Sequence, residues 1–138
     1  MKFEIHNHEG VGPVRFGMTA SELREVLGSE FESGKRGEDP YDLYFGSACF
    51  VYYDKSGKVD AVEFTEPGYV TIGGVDLLSL SFAEMLEVIR SEDPDVKVDI
   101  EGLQSLNLGI GSYAPDGKDK PESPAETVIV FRRGLYEG

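Results

Sequence analysis

The chain has 138 residues, 40% hydrophobic and 11% aromatic, which is ordinary for a folded domain and too apolar for a disordered one. Its 26 acidic side chains against 13 basic ones leave a net charge of −13, which repels phosphate backbones and excludes nucleic acid as the expected partner. No apolar run approaches the roughly 20 residues that span a bilayer, and Met1-Lys2-Phe3-Glu4 spells no secretory signal, so one cytoplasmic domain without a membrane partner is expected.

Lys2–Ile5 alternates and reads as a first strand, followed by a loop over His6–Arg15 punctuated by Gly10, Gly12 and Pro13. Thr19-Ala20-Ser21-Glu22 fits a capping box, Met18 and Leu23 can form the staple, and Gly28 supplies a stop. These signals predict a helix over 20–27. Glu30–Asp42, diluted by Lys35 and Arg36, reads as an acidic loop running into a strand at Tyr41–Phe45. Ala48–Tyr53 and Lys58–Phe64 read as strands joined by the hairpin turn Asp54-Lys55-Ser56-Gly57, and Tyr69–Ile72 as a short strand before Gly73-Gly74.

The same grammar then recurs. Ser81-Phe82-Ala83-Glu84 is a second capping box, 62 positions after the first, and Phe82, Met85, Leu86 and Ile89 space as one helical face over 82–91. Val96, Val98 and Ile100 alternate with Asp95, Lys97 and Asp99, Ser105–Tyr113 alternates likewise, and Thr127–Phe131 is a compact β-branched run. The proline-rich stretch Ala114–Glu126 reads as a long mobile loop. The expected fold is α+β, a mainly antiparallel sheet with two helices on one face. It is consistent with two tandem helix-plus-three-strand units, at about 11–72 and 74–133, within a single domain over 1–138.

Few motifs carry chemistry. Cys49, the only cysteine, sits in an apolar run and reads as an inert core thiol. His6 and His8 lack the further ligands a zinc site needs, so no metal is expected. Gly10-Val11-Gly12-Pro13 and Gly73-Gly74 lack the lysine and hydroxyl of a nucleotide loop, and carboxylate pairs such as Glu63 with Glu66 are abundant by chance. No cofactor, catalytic residue or enzymatic activity is therefore expected. Tyr41, Tyr44, Tyr52, Tyr53, Tyr69 and Tyr113 fall on or beside strands, either completing a core or forming an aromatic platform.

Val11-Gly12-Pro13-Val14-Arg15-Phe16-Gly17-Met18-Thr19, running into Ser21-Glu22-Leu23 and Val26-Leu27-Gly28, resembles the (F)GM(S/T)xxE(L/V)xxxLG opening of small bacterial proteins of two kinds. One is the β-lactamase inhibitor protein and SmpA-like group. The other comprises cytoplasmic immunity proteins encoded beside polymorphic or contact-dependent toxins. The hairpin Tyr53–Val59 is similar to theirs, and the likeness covers about residues 11–66. It implies a sheet face and loops that bind a target protein, and it assigns no individual residue here.

Charge and resemblance together point to an acidic protein-binding inhibitor: an immunity protein that neutralises a cognate toxin, basic and of the nuclease type, by direct binding. An acidic surface suits a basic substrate cleft and accelerates encounter with it. Charge is shared evenly, with 13 acids and 7 bases over 1–69 and 13 acids and 6 bases over 70–138. It is densest at Glu92, Asp93, Asp95, Asp99 and Glu101. Those five, with Asp39, Asp42 and Tyr44, are the candidate partner contacts. The alternatives are a small-ligand-binding or hydrolytic domain using an aromatic and carboxylate sheet face, or an assembly subunit with an apolar interface.

Overall fold

The computed structural model describes residues 2–136, so Met1, Glu137 and Gly138 lie outside it. Three two-residue strands, β1 (Ile5–His6), β2 (Gly10–Val11) and β3 (Val14–Arg15), form a small antiparallel sheet ahead of helix α1 (Ala20–Leu27). Four strands follow: β4 (Phe31–Arg36), β5 (Asp39–Tyr44), β6 (Cys49–Tyr53) and β7 (Val59–Thr65). The hairpin β8 (Thr71–Ile72) and β9 (Val75–Asp76), with a 3-10 turn at Leu77–Ser79, leads into helix α2 (Phe82–Glu92). Four more strands close the chain: β10 (Lys97–Asp99), β11 (Gly102–Ser105), β12 (Ile110–Tyr113) and β13 (Thr127–Phe131).

Both helices start as their sequences dictate. The Thr19 hydroxyl oxygen accepts the Glu22 N–H at 3.2 Å and the Glu22 carboxylate accepts the Thr19 N–H at 3.0 Å. Ser81 and Glu84 repeat the exchange at 3.1 and 3.0 Å. The orphan N–H groups of Phe82 and Ala83 donate to the carbonyls of Ser123 and Pro121, so the segment read as a mobile loop is seated on the start of α2.

The eight strands β4–β7 and β10–β13 make one antiparallel sheet in the order β10-β11-β12-β13-β7-β6-β5-β4. Each helix is thus followed by a four-stranded meander, and the last strands of the two meanders pair at the centre of the sheet. That is one strand per helix more than the sequence suggests. Two signals hide it. Phe31–Arg36 lies on an edge with no apolar alternation, and a tight turn through Leu108 and Gly109 splits Ser105–Tyr113 into the end of β11 and all of β12. Similarly, His6–Arg15 forms the small sheet rather than a loop, with strand pairing that begins at Ile5.

Strand alternation separates the two faces. Cys49, Val51, Val62, Phe64, Val128 and Val130 point to the helix side and are fully buried with Leu23, Met85 and Ile89. Each such side chain contributes about 1.5–3 kcal/mol of burial, which makes this layer the main source of stability. Tyr41, Phe50, Tyr52, Glu63 and Ile129 alternate to the opposite face, which no helix covers. On that face Gly34 makes room for the Tyr41 ring: a Cβ there would lie 2.7 Å from the Tyr41 hydroxyl.

Candidate functional site

The open face carries a cavity of about 470 Å³, within the range of ligand pockets. Its walls come from both halves of the sheet: Arg36 and Asp39 near one edge, Asp99 and Glu101 at the other, and Ala61, Ile129 and Phe131 between them. Edge strands β4 and β10 border one hollow, so the sheet is curled around it.

The central strand supplies its two innermost carboxylates. Glu63, opposite Phe50 and Ile129, accepts from the Tyr52 hydroxyl at 2.9 Å and from Arg36 Nη1 at 2.9 Å. The Arg36 guanidinium lies 5.1 Å from the Phe50 ring centre and 5.7 Å from that of Tyr52, completing a carboxylate–aromatic–cation stack. Burial and the Glu63 carboxylate push the Tyr52 hydroxyl well above the ordinary phenol range.

Asp60 reaches the hollow by another route. Tyr52 pairs with Ala61 while Tyr53 pairs with Val59, so Asp60 is an extra residue on β7 with no partner opposite it. A regular strand would turn Asp60 to the same side as Val62. The bulge instead re-aims it into the cavity wall. Asp60 is only 7% exposed, and its carboxylate forms no hydrogen bond or ion pair with another described residue. Burial raises its pKa above the ordinary carboxylate value, with the Arg132 charge pulling the other way. Beyond β13, Tyr136 packs edge-on against Phe131 with ring centres 4.7 Å apart and joins the lining.

The sequence-derived contacts divide. Asp39, Asp99 and Glu101 are exposed and come together around the hollow, although they lie 60 positions apart in the chain. Glu92 and Asp95 are exposed at the far end of α2, outside that lining. The other three are corrections. Asp42 is 2% exposed and holds the core together: it accepts from Arg24 at 3.1 Å, Ser33 at 2.6 Å and Tyr53 at 2.7 Å. Tyr44 is equally buried and packs on Phe31 at 5.4 Å between ring centres. Asp93 is also buried: it accepts from Ser105 at 2.6 Å, Asn107 at 2.9 Å and the Asp95 N–H at 3.0 Å, and these bonds, led by Ser105, hold its carboxyl below the usual range. All three are turned inward, to internal donors or packing, and not to the surface.

Other motifs resolve locally. Burial pushes the Cys49 thiol up to about 12, so it carries no thiolate at neutral pH. The Gly73 and Gly74 amides do cradle an anion, but an internal one, the Glu4 carboxylate, at 2.7 and 3.1 Å. His8 Nε2 hydrogen-bonds the Asn107 carbonyl oxygen at 2.6 Å, and no group of metal-ligating side chains gathers among the described residues.

Arg36, Asp60 and Tyr136 escape sequence reasoning. The detectable signal for Asp60 is an acid inside Val59-Asp60-Ala61-Val62, where regular alternation would place it under the helices. Comparisons with family models, curated proteins and solved structures find no match to this chain.

Proposed function

We propose that the chain is an acidic inhibitor that binds a basic protein through the open sheet face, acting as an immunity protein that neutralises a cognate toxin. One observation carries this reading. The open face gathers five carboxylates, Asp39, Asp60, Glu63, Asp99 and Glu101, from both halves of the sheet, against one basic side chain, Arg36, in the described lining and Arg132 beside Asp60. Such a surface attracts a basic patch over a distance and leaves acceptors unfilled for it. The tyrosines beside it supply contact area at little entropic cost. A partner of the nuclease type, whose cleft is built to hold a polyanion, fits this chemistry.

The test is co-purification with the product of the adjacent gene at low and high salt. A complex that weakens with salt, and protection of cells expressing that neighbour, is the expected result. No complex and no protection would overturn the reading.

A second reading, a small-ligand or hydrolytic site in the same cavity, draws on the convergence of carboxylates there, one of them with a raised pKa. Turnover of a glycoside or ester panel that is abolished by Asp60→Asn would favour it over inhibition.

A further inference from the structure

We propose that the cavity on the open face is a pocket for a guanidinium group, anchored by the re-aimed carboxylate of Asp60. The inference rests on the reading of that face as a binding surface for basic partners, and it names the group the surface selects.

The chain shows how it holds guanidinium groups elsewhere. Arg24 lies 4.3 Å over the Phe31 ring centre and 3.1 Å from an Asp42 oxygen. Arg36 lies over Phe50 and Tyr52 and 2.9 Å from a Glu63 oxygen. Both sites pair an aromatic face with a carboxylate, the combination that suits a planar, weakly hydrated cation better than a compact ammonium.

A third such combination has no ion-paired cation among the described residues. Asp60 lines the hollow together with Phe131 and Tyr136, whose hydroxyl pKa is raised by burial first and then by the Glu63 and Asp60 charges. Arg132 is its neighbour, with its backbone N–H donating to the Asp60 carbonyl at 3.0 Å and its charge lowering the Asp60 pKa, but its Nη1 donates to the Arg133 carbonyl at 3.2 Å and it forms no ion pair with Asp60. Carboxylates buried elsewhere in this protein take several donors; Asp42 and Asp93 each take three. Asp60 is 7% exposed against 2% for each of those, takes no side-chain donor among the described residues, and keeps its carboxylate open to the hollow. A partly desolvated carboxylate that still opens on a cavity gains from an incoming planar donor. The remaining rim is acidic, with Asp99 and Glu101 on one side and Asp39 on the other. Around Asp60, therefore, the hollow holds acceptors and ring faces with room for one more cation.

The experiment is an amide NMR titration of the whole protein with capped arginine, capped lysine, capped citrulline and agmatine. Capped arginine should give saturable shifts centred on residues 59–61, 131 and 136. Capped citrulline, the neutral isostere, should give none, and capped lysine should bind at least about threefold more weakly. Asp60→Asn should weaken arginine binding at least about tenfold with an otherwise unchanged spectrum. Tyr136→Ala, a change on the exposed C-terminal segment, should weaken it by a smaller factor.

Equal shifts with citrulline, undiminished binding in Asp60→Asn, or shifts scattered over the whole acidic surface would overturn the pocket. Tighter binding of an arginine-containing peptide than of agmatine supports a partner's side chain as the source, and the reverse order supports a free small molecule. Because no partner is present, saturable arginine binding combined with failure of the co-purification would refute the inhibitor function and leave the pocket standing. The opposite pair of results would do the reverse.

Discussion

The two faces of the sheet treat buried acids in opposite ways. On the helix side, Asp42 is enclosed by the donors of Arg24, Ser33 and Tyr53, and at the end of α2 Asp93 is enclosed by Ser105, Asn107 and a backbone amide. On the open side, Asp60 is pushed out of strand register by a bulge and has no side-chain donor among the described residues. Enclosed charges hold elements together, Asp42 joining α1 to three strands. A desolvated carboxylate that keeps an opening to a cavity, as Asp60 does, can instead accept a donor from outside the chain. The same residue type is thus tied into the fold on one face and left open to a cavity on the other.

That contrast predicts effects that differ in size and then in sign. Asp42→Ala removes the acceptor shared by three side chains and leaves their donors facing a hole, so urea unfolding should show a loss of about 3–4 kcal/mol. Asp93→Asn should cost less, about 2 kcal/mol at pH 7, because the amide keeps part of the network. The folded-state pKa of Asp93 is depressed, so its contribution is present above the ordinary carboxylate range and is lost as pH falls through that lowered value. Stability measured against pH should therefore show wild type and Asp93→Asn converging in acid. Ser81→Ala removes the acceptor for the Glu84 N–H at the start of α2 and should cost about 1 kcal/mol in the same assay.

Asp60→Asn is the smallest effect and has the opposite sign. Its folded-state pKa is raised, so the folded state holds its proton more tightly than the unfolded one, and stability declines as pH rises from the ordinary carboxylate value through the raised one. Replacing it by an uncharged amide should stabilise the protein by up to about 1 kcal/mol at pH 7, with the gain vanishing in acid. A marked loss of stability instead would place Asp60 with Asp42 as a structural acid and dissolve the contrast.

Much of the fold is legible in the sequence because capping and periodicity are local. Thr19–Glu22 and Ser81–Glu84 state both helix starts, and Cys49–Tyr53 and Thr127–Phe131 announce central strands by apolar content. Edge strand β4 is not legible, since an edge exposed on both sides has no burial to impose a pattern. The candidate site is legible only in part. Charge density brings out Asp99 and Glu101, which the sheet carries to the rim opposite Asp39. It also brings out Asp42 and Asp93, because an acid looks the same in sequence whether its donors come from water or from residues 9 to 18 positions away. Asp60 stays hidden because its role depends on one register shift between β6 and β7.

The claim that the open face is the binding surface is tested most directly by carboxyl-specific footprinting of the complex with the adjacent gene's product. The exposed rim acids Asp39, Asp99 and Glu101 should become protected, while Glu25 and Glu87 on the helices keep their labelling. Protection confined to the helix side, with the three rim carboxylates labelled as in the free protein, would contradict it.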